Sequence, residues 1–200
     1  MPRRTKKEGW KAKNWYNVIA PEMFGRASIG ETPADEPEKL IGRVMETTLG
    51  DMIDDWSKQN TKMLFEIYDI GGDGAHTMFI GHEMTHDYMR SLVKRRTSKI
   101  DANILATTQN GYKVRVKPSC FTVRRARHPQ IKTIRQMMHD IVISRAKKLD
   151  FVAFIQEIVL GKIASDIYKE AKDIYPLRRV EIGKTEVVYR PNEVVVQAAE

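Results

Sequence analysis

The sequence predicts an α+β fold, with an antiparallel sheet or partial β-barrel core, a short inserted helix and a C-terminal helical pair. Segments rich in β-branched and aromatic residues precede two long helical patterns, without the alternation that a doubly wound parallel fold shows. A hydrophobic fraction of 42% is sufficient for a packed core. With roughly six or seven short strands, partial closure would protect the sheet edges.

The chain divides by composition into a basic N-terminal arm (1–15), a single α+β domain (16–190) and a C-terminal tail (191–200). The arm combines six bases with few apolar side chains, a composition that disfavours independent packing. Trp10 and Trp15 alternate with these bases. They either stack on unpaired nucleic-acid bases or anchor the arm to the domain, and the sequence leaves both interpretations open.

The predicted strands of the first half follow a loop marked by two prolines. Segments 40–49, 63–70 and 76–80 are rich in β-branched and aromatic residues and are predicted to be strands. The glycines between the second and third segments indicate a hairpin. A short helix is expected to begin at Thr85, a plausible N-cap, and to end in a run of cations.

The middle of the chain predicts a second hairpin. Segments 100–107 and 112–123 flank Asn110 and Gly111, a pair of residues typical of two-residue turns. In the second segment apolar residues alternate with cations, so one strand face is expected to pack and the other to meet phosphate.

The last third predicts two helices, over 131–145 and from 151 to about 173, and the second is expected to end before Pro176. A final strand or hairpin is expected over 180–188.

Charge along the chain is segregated. The formal net charge is +8 with an isoelectric point near 9.5, yet residues 31–55 carry eight acids and two bases, whereas residues 90–148 carry sixteen bases and two acids. Clustered cations favour a polyanionic partner because they displace counterions from phosphates. The candidate binding residues are Arg3, Arg4, Lys6, Lys7, Lys11, Lys13, Trp15, Arg90, Lys94, Arg95, Arg96, Lys99, Lys113, Arg115, Lys117, Arg124, Arg125 and Arg127.

Several classes of protein are disfavoured. A single cysteine, Cys120, excludes an internal disulfide and is expected to be a buried hydrophobe. The longest apolar stretch, 151–160, is interrupted by Gln156 and Glu157 and is too short to span a membrane. With no apolar segment after the basic start to act as a signal peptide, we expect a cytoplasmic protein without membrane contact.

Residues 82–86 match H-E-x-x-H, a zinc hydrolase motif when it lies within a helix. Here the residues before Thr85 resemble a strand and turn, so the two histidines would not share a helical face. A third ligand is also not evident, because Asp87 suits the first turn of a helix and Asp101 lies in a predicted strand. We therefore expect no catalytic residue, no metal and no cofactor.

Four segments in order resemble the archaeal branch of the small-subunit ribosomal protein eS1 family, formerly called S3Ae. They are 11–16 (KAKNWY), 20–24 (APEMF), 81–101 (GHEMTHDYMRSLVKRRTSKID) and 110–117 (NGYKVRVK). The resemblance extends over nearly the whole chain. Members of that family tend to carry arginine at the position of His86, which would make the zinc motif an accident of one substitution.

The resemblance implies a structural constituent of the small ribosomal subunit that binds small-subunit rRNA through the candidate residues and catalyses no reaction. It further implies a place on the platform, near the mRNA exit region, with neighbouring small-subunit ribosomal proteins as partners. The acidic stretch 31–55 should then point away from RNA or meet a basic protein neighbour. A free-standing RNA- or DNA-binding regulator is the alternative.

Overall fold

The computed structural model describes residues 13–72 and 74–191, and confirms the α+β class. The strands are β1 (Asn14–Ile19), β2 (Ser28–Ala34), β3 (Val44–Thr48), β4 (Thr61–Gly71), β5 (Gly74–Met84), β6 (Lys99–Asp101), β7 (Ile104–Thr107), β8 (Lys113–Thr122) and β9 (Leu177–Tyr189). The α-helices are α1 (Leu49–Ile53), α2 (His86–Leu92), α3 (His128–Lys148), α4 (Phe151–Val159) and α5 (Lys162–Ala171). Short 3-10 turns cover Glu22–Phe24, Pro37–Leu40 and Trp56–Lys58.

The chain packs as two compact units. The first contains the described residues up to 59 and those from 63 to 80, and the second contains residues 60–62 and those from 81 onward. The assignment of 16–190 to a single domain stays a prediction. Residues 1–12 of the expected arm and 192–200 of the expected tail lie outside the described residues, and β1 begins at Asn14.

The first unit is built on strand pairs of both orientations. β1 runs antiparallel to β2 and parallel to β5, β4 pairs with β3 and β5, and Val18, Leu40 and Ile67 are fully buried between them. One strand pair differs from the expected antiparallel arrangement, because β1 and β5 run parallel; the sheet is therefore mixed, and it is not closed. The expected hairpin between β4 and β5 is confirmed.

The strand predicted over 40–49 is shorter in the structure. Leu40 ends a 3-10 turn, and Gly42 at φ +81° reverses the chain before β3 begins at Val44. Because Thr48 caps α1 by accepting a hydrogen bond from the Asp51 backbone N–H, the strand ends there.

The second unit centres on the long antiparallel pair of β8 and β9, with β6 and β7 both pairing with β8. The single strand expected over 100–107 is thus two strands, separated at Ala102 and Asn103. Opposite this break lies Pro118, which has no backbone N–H to donate to a neighbouring strand, and the β8–β9 register shifts at the same point.

Three helices lie between β8 and β9 along the chain in the second unit, where the sequence predicted a pair. The second predicted helix is divided into α4 and α5 because Gly161 adopts φ +78°, a left-handed conformation that ends a helix. α3 packs with α5 and β7, and α5 packs with β9. Cys120 is buried as expected, with Sγ 3.3 Å from Sδ of Met138 on α3, and burial raises the pKa of its thiol to about 12.

Three other secondary-structure predictions for the second unit are confirmed. The short helix α2 is inserted between β5 and β6, the turn at Gly111 adopts φ +80°, and the final strand is β9. The rings of Tyr112 and Phe151 stack with centroids 4.3 Å apart, which fixes the β7–β8 hairpin to α4. Among the described residues, no helix has the length and apolar character needed to cross a membrane.

Candidate nucleic-acid interface

Hydrogen bonds in the second unit hold two basic loops together: residues 93–98, after α2, and residues 123–127, before α3. We call them the paired basic loops. The Ser98 N–H donates to Thr122 Oγ1 at 2.8 Å, and the Thr122 N–H donates back to the Ser98 carbonyl at 3.0 Å. The Ala126 N–H then donates to Ser98 Oγ at 3.1 Å. Segments about 25 positions apart in sequence therefore form one surface.

The paired basic loops bring together six of the predicted binding residues. These are Lys94, Arg95, Arg96, Arg124, Arg125 and Arg127. All six side chains are exposed, and within residues 13–72 and 74–191 none of them forms an ion pair with an acid. Six exposed cations without acidic partners form a surface suited to phosphate, which binds guanidinium groups through paired hydrogen bonds.

The loop backbones are held in place. Arg96 adopts φ +61°, and the turn around it is closed by Thr97, whose hydroxyl donates to the Lys94 carbonyl at 2.7 Å. In the other loop, the Tyr175 hydroxyl donates to the Arg125 carbonyl at 3.2 Å. Loops fixed in this way lose less conformational entropy when a ligand binds.

Two further predicted residues flank the first loop. Arg90 is exposed in the last turn of α2, and its carbonyl accepts a hydrogen bond from Val93. Lys99 follows the loop in β6, but its Nζ lies 3.1 Å from Asp101 Oδ2. Lys99 is therefore a weaker candidate than the six unpaired cations, since binding phosphate would compete with this ion pair.

The strand cations form a separate group. Val114 and Val116 are buried while Lys113, Arg115 and Lys117 reach the surface, so the predicted alternation is confirmed. Arg115 lies 3.4 Å from Glu186, and Lys113 lies over the ring of Tyr189. Lys113 and Thr122 are nine positions apart along β8, a distance of about 30 Å. The structure therefore does not bring Lys113 to the paired basic loops.

Arg178 is a candidate that the sequence analysis missed. It is exposed at the start of β9, and its Nη1 lies 3.5 Å from the Leu92 carbonyl at the end of α2. Its neighbour Leu177 pairs with Thr122, which places Arg178 beside the paired basic loops. The adjacent arginines Arg178 and Arg179 could have indicated this candidate in the sequence. They lie far in sequence from the basic segment 90–148, and the pairing of β8 with β9 brings them close to it. Arg179 itself is paired with Glu181 at 2.7 Å.

Of the predicted binding residues of the arm, only Lys13 and Trp15 lie within the described residues. Arg3, Arg4, Lys6, Lys7 and Lys11 lie outside the described residues. Lys13 is half-buried, and Trp15 is 62% exposed in β1 of the first unit. Their role in binding stays a prediction.

The H-E-x-x-H residues lie on two different elements. His82 is buried in β5, with Nε2 3.1 Å from the Ile182 carbonyl, whereas His86 is exposed in the first turn of α2, after the N-cap residue Thr85. The expectation that the two histidines do not share a helical face is therefore confirmed. Desolvation lowers the pKa of His82 to about 4. Across the described part of the chain, no three His, Cys, Asp or Glu side chains are grouped as metal ligands.

A basic α+β protein that displays unpaired cations on hydrogen-bonded loops is typical of the proteins that bind polyanions. Residues 2–191 match the model of the Ribosomal S3Ae family, and the chain belongs to that family. The resemblance inferred from the four sequence segments is thus confirmed.

Three curated relatives from archaea are similar to this chain. The protein named small ribosomal subunit protein eS1 in Methanothrix thermoacetophila is 60% identical over 100% of this chain and 95% of the relative. The protein of the same name in Archaeoglobus fulgidus is 50% identical over 96% of this chain and 92% of the relative. The one in Natronomonas pharaonis is 47% identical over 98% of this chain and 96% of the relative.

Proposed function

We propose that this protein is a structural constituent of the archaeal small ribosomal subunit, in the cytoplasm, and that it binds small-subunit rRNA. Its membership of the Ribosomal S3Ae family and the names of its relatives support this role. The observation that carries the binding proposal is the surface of the paired basic loops, where six exposed cations have no acidic partner in the described structure.

The proposed mechanism is recognition of the RNA backbone. Cations that contact phosphate release condensed counterions, which drives association. The deep, narrow major groove of an RNA helix hides the base edges, so phosphate and sugar contacts dominate and specificity comes largely from shape. The arginines suit this task because a planar guanidinium donates two parallel hydrogen bonds to one phosphate. No covalent bond is made or broken in this role.

Within the subunit we propose a place on the platform, near the mRNA exit region, with neighbouring ribosomal proteins as further partners. The segregated charge supports this arrangement, because the acidic residues of 31–55 are unsuited to phosphate and suited to a basic protein. The family match does not support the alternative of a free-standing RNA- or DNA-binding regulator.

Sedimentation of a native lysate through a sucrose gradient tests the proposal, with the protein followed across the fractions by mass spectrometry. We expect it to migrate with the small subunit at raised salt. Recovery only at the top of the gradient would overturn the ribosomal role, and binding of the isolated protein to one defined oligonucleotide would then favour the regulator.

A further inference from the structure

The first unit exposes a tryptophan on a short acidic loop. The Trp56 loop, which we define as residues 48–59, contains α1 and the 3-10 turn Trp56–Lys58. Trp56 is 83% exposed and Ile53 is 50% exposed. Large apolar side chains at this exposure are unfavourable in water, and tryptophan is enriched among the residues that carry the binding energy of protein interfaces.

Hydrogen bonds and close packing hold the backbone of the Trp56 loop in its conformation. Thr48 Oγ1 accepts a hydrogen bond from the Asp51 N–H at 3.2 Å, and Asp55 Oδ1 accepts from the Ser57 N–H at 3.0 Å. Gly50 packs so closely that an added Cβ would lie 3.0 Å from the Asp55 carbonyl oxygen. The indole is therefore presented by a loop whose backbone is already held by internal contacts, which lowers the entropic cost of complex formation.

Negative charge surrounds the exposed indole. Asp51 and Asp54 are exposed, Asp55 is half-buried, and Lys58 is the single base within 48–59. Hydrogen bonds from Ser57 lower the pKa of the Asp55 carboxyl, which keeps it ionised. This surface repels phosphate and attracts cations, so its charge is complementary to a basic polypeptide and not to RNA.

We propose that the Trp56 loop is a docking site for a basic segment of a neighbouring protein. An arginine or lysine of that segment lies over the Trp56 indole, where a cation is attracted to the face of the ring. Further cations of the segment pair with Asp51 and Asp54. The inference rests on the proposed ribosomal role only for the choice of assembly in which it is tested.

The test is photo-crosslinking with the full chain in its native assembly. Trp56→p-benzoylphenylalanine is introduced, ribosomal subunits are isolated and irradiated, and the adducts are digested separately with nuclease and with protease. Tyr68→p-benzoylphenylalanine is the matched control, because Tyr68 is an exposed aromatic residue of the same unit outside the loop. We expect a protein adduct at Trp56, which mass spectrometry identifies as a segment rich in lysine and arginine, and none of that adduct at Tyr68.

Neutralising the loop tests the role of charge. Asp51→Asn with Asp54→Asn keeps the side-chain shapes, and asparagine tolerates the left-handed φ of +57° at position 54. We expect the yield of the protein adduct to fall at least fivefold, whereas Glu22→Gln with Asp69→Asn, two exposed acids of the same unit outside 31–55, leaves it unchanged.

An adduct to rRNA alone, an adduct to a protein segment without excess basic residues, or no adduct in subunits that contain the chain would overturn the docking site. Failure of the chain to sediment with subunits would instead overturn the proposed ribosomal role. In that case the adduct would be identified in the gradient fraction that contains the chain. It would still show whether the partner of the Trp56 loop is RNA or a basic protein segment.

Discussion

The imidazole of His82 is packed inside the second unit, directly opposite Thr185 in the pairing of β5 with β9. Its Nε2 donates to the Ile182 carbonyl, so the proton of the neutral ring is assigned to Nε2. Among the residues that the structure describes, Nδ1 has no hydrogen-bond partner and is buried, as is Thr185 Oγ1. A protonated ring would place a donor and a charge in this site without a partner, which is the physical reason why its pKa is lowered.

His82 should make the folded protein sensitive to acid. Its pKa is about 4 in the folded protein and near 6.5 when unfolded, so the unfolded state binds more protons between these values. The stability associated with neutral His82 is complete above pH 6.5 and is lost as the pH falls toward 4, by about 3 kcal/mol in total. Urea unfolding across this range, followed by circular dichroism, measures the effect.

The comparison that isolates this contribution uses two variants. His82→Gln should show a weaker fall in unfolding free energy with acid, whereas His86→Gln should match the wild type because His86 is exposed. Parallel curves for the wild type and His82→Gln would contradict the prediction.

At the scale of elements, the binding surface depends on how α2, β8 and α3 are joined. Thr122 is fully buried at the end of β8, and its hydroxyl accepts from the Ser98 N–H and donates to the Arg124 carbonyl at 2.6 Å. One side chain thus connects both basic loops. The helices beyond them supply the buried apolar surface that fixes the loops to the sheet.

Thr122→Val should uncouple the two loops. Valine keeps the shape but leaves the Ser98 N–H and the Arg124 carbonyl without this partner, at a cost of about 1 to 3 kcal/mol in unfolding free energy. Hydrogen exchange should show faster exchange of the Ser98 and Ala126 amides, whereas Thr133→Val, at an exposed position of α3, should leave both unchanged. Unchanged exchange in Thr122→Val would show that the loops are held by other contacts.

Reversing one charge in each loop should weaken assembly. Arg95→Glu with Arg124→Glu places two carboxylates where phosphate is expected, so we predict at least a tenfold lower occupancy in small subunits washed at raised salt. Lys147→Glu with Lys148→Glu changes the net charge equally at the exposed end of α3 and should be incorporated normally. Quantitative mass spectrometry of gradient fractions provides the measurement, and equal occupancy of the two variants would remove the paired basic loops from the RNA footprint.

At the scale of the whole molecule, the distribution of charge matters more than the net value of +8. The first unit carries the acidic stretch and the second unit carries the basic segment, so one chain can face RNA and protein with different surfaces. Long-range steering toward RNA then depends on ionic strength, because salt screens exposed charges.

RNA affinity should fall steeply with salt. Six phosphate contacts predict a slope of log affinity against log salt of about −4 or steeper, and Arg95→Gln with Arg124→Gln should reduce its magnitude by roughly 1.5. Glu36→Gln with Glu38→Gln should leave the slope unchanged. Filter binding of the full chain to small-subunit rRNA checks both expectations, and an unaltered slope in the arginine variant would exclude these residues from phosphate contact.

Sequence alone determined the fold class, the hairpin at Gly111, the alternation along β8, the burial of Cys120 and the family, because each depends on local periodicity, turn chemistry or ordered motifs. It missed the break at Gly161, since a lone glycine in a helical pattern is usually tolerated and its left-handed conformation depends on context. The interruption beside Pro118 and the parallel pairing of β1 with β5 likewise depend on partners distant in sequence.

For the site, the sequence identified the basic residues but not their grouping. From the sequence, Lys99, Arg115 and Arg95 were equivalent candidates for binding phosphate. The structure places an acid beside Lys99 and another beside Arg115. Arg178 lies beside the paired basic loops because β9 pairs with β8. The sequence shows which residues are charged. Tertiary structure decides which charged residues form ion pairs, because side chains far apart in sequence come into contact only when the sheet and helices pack.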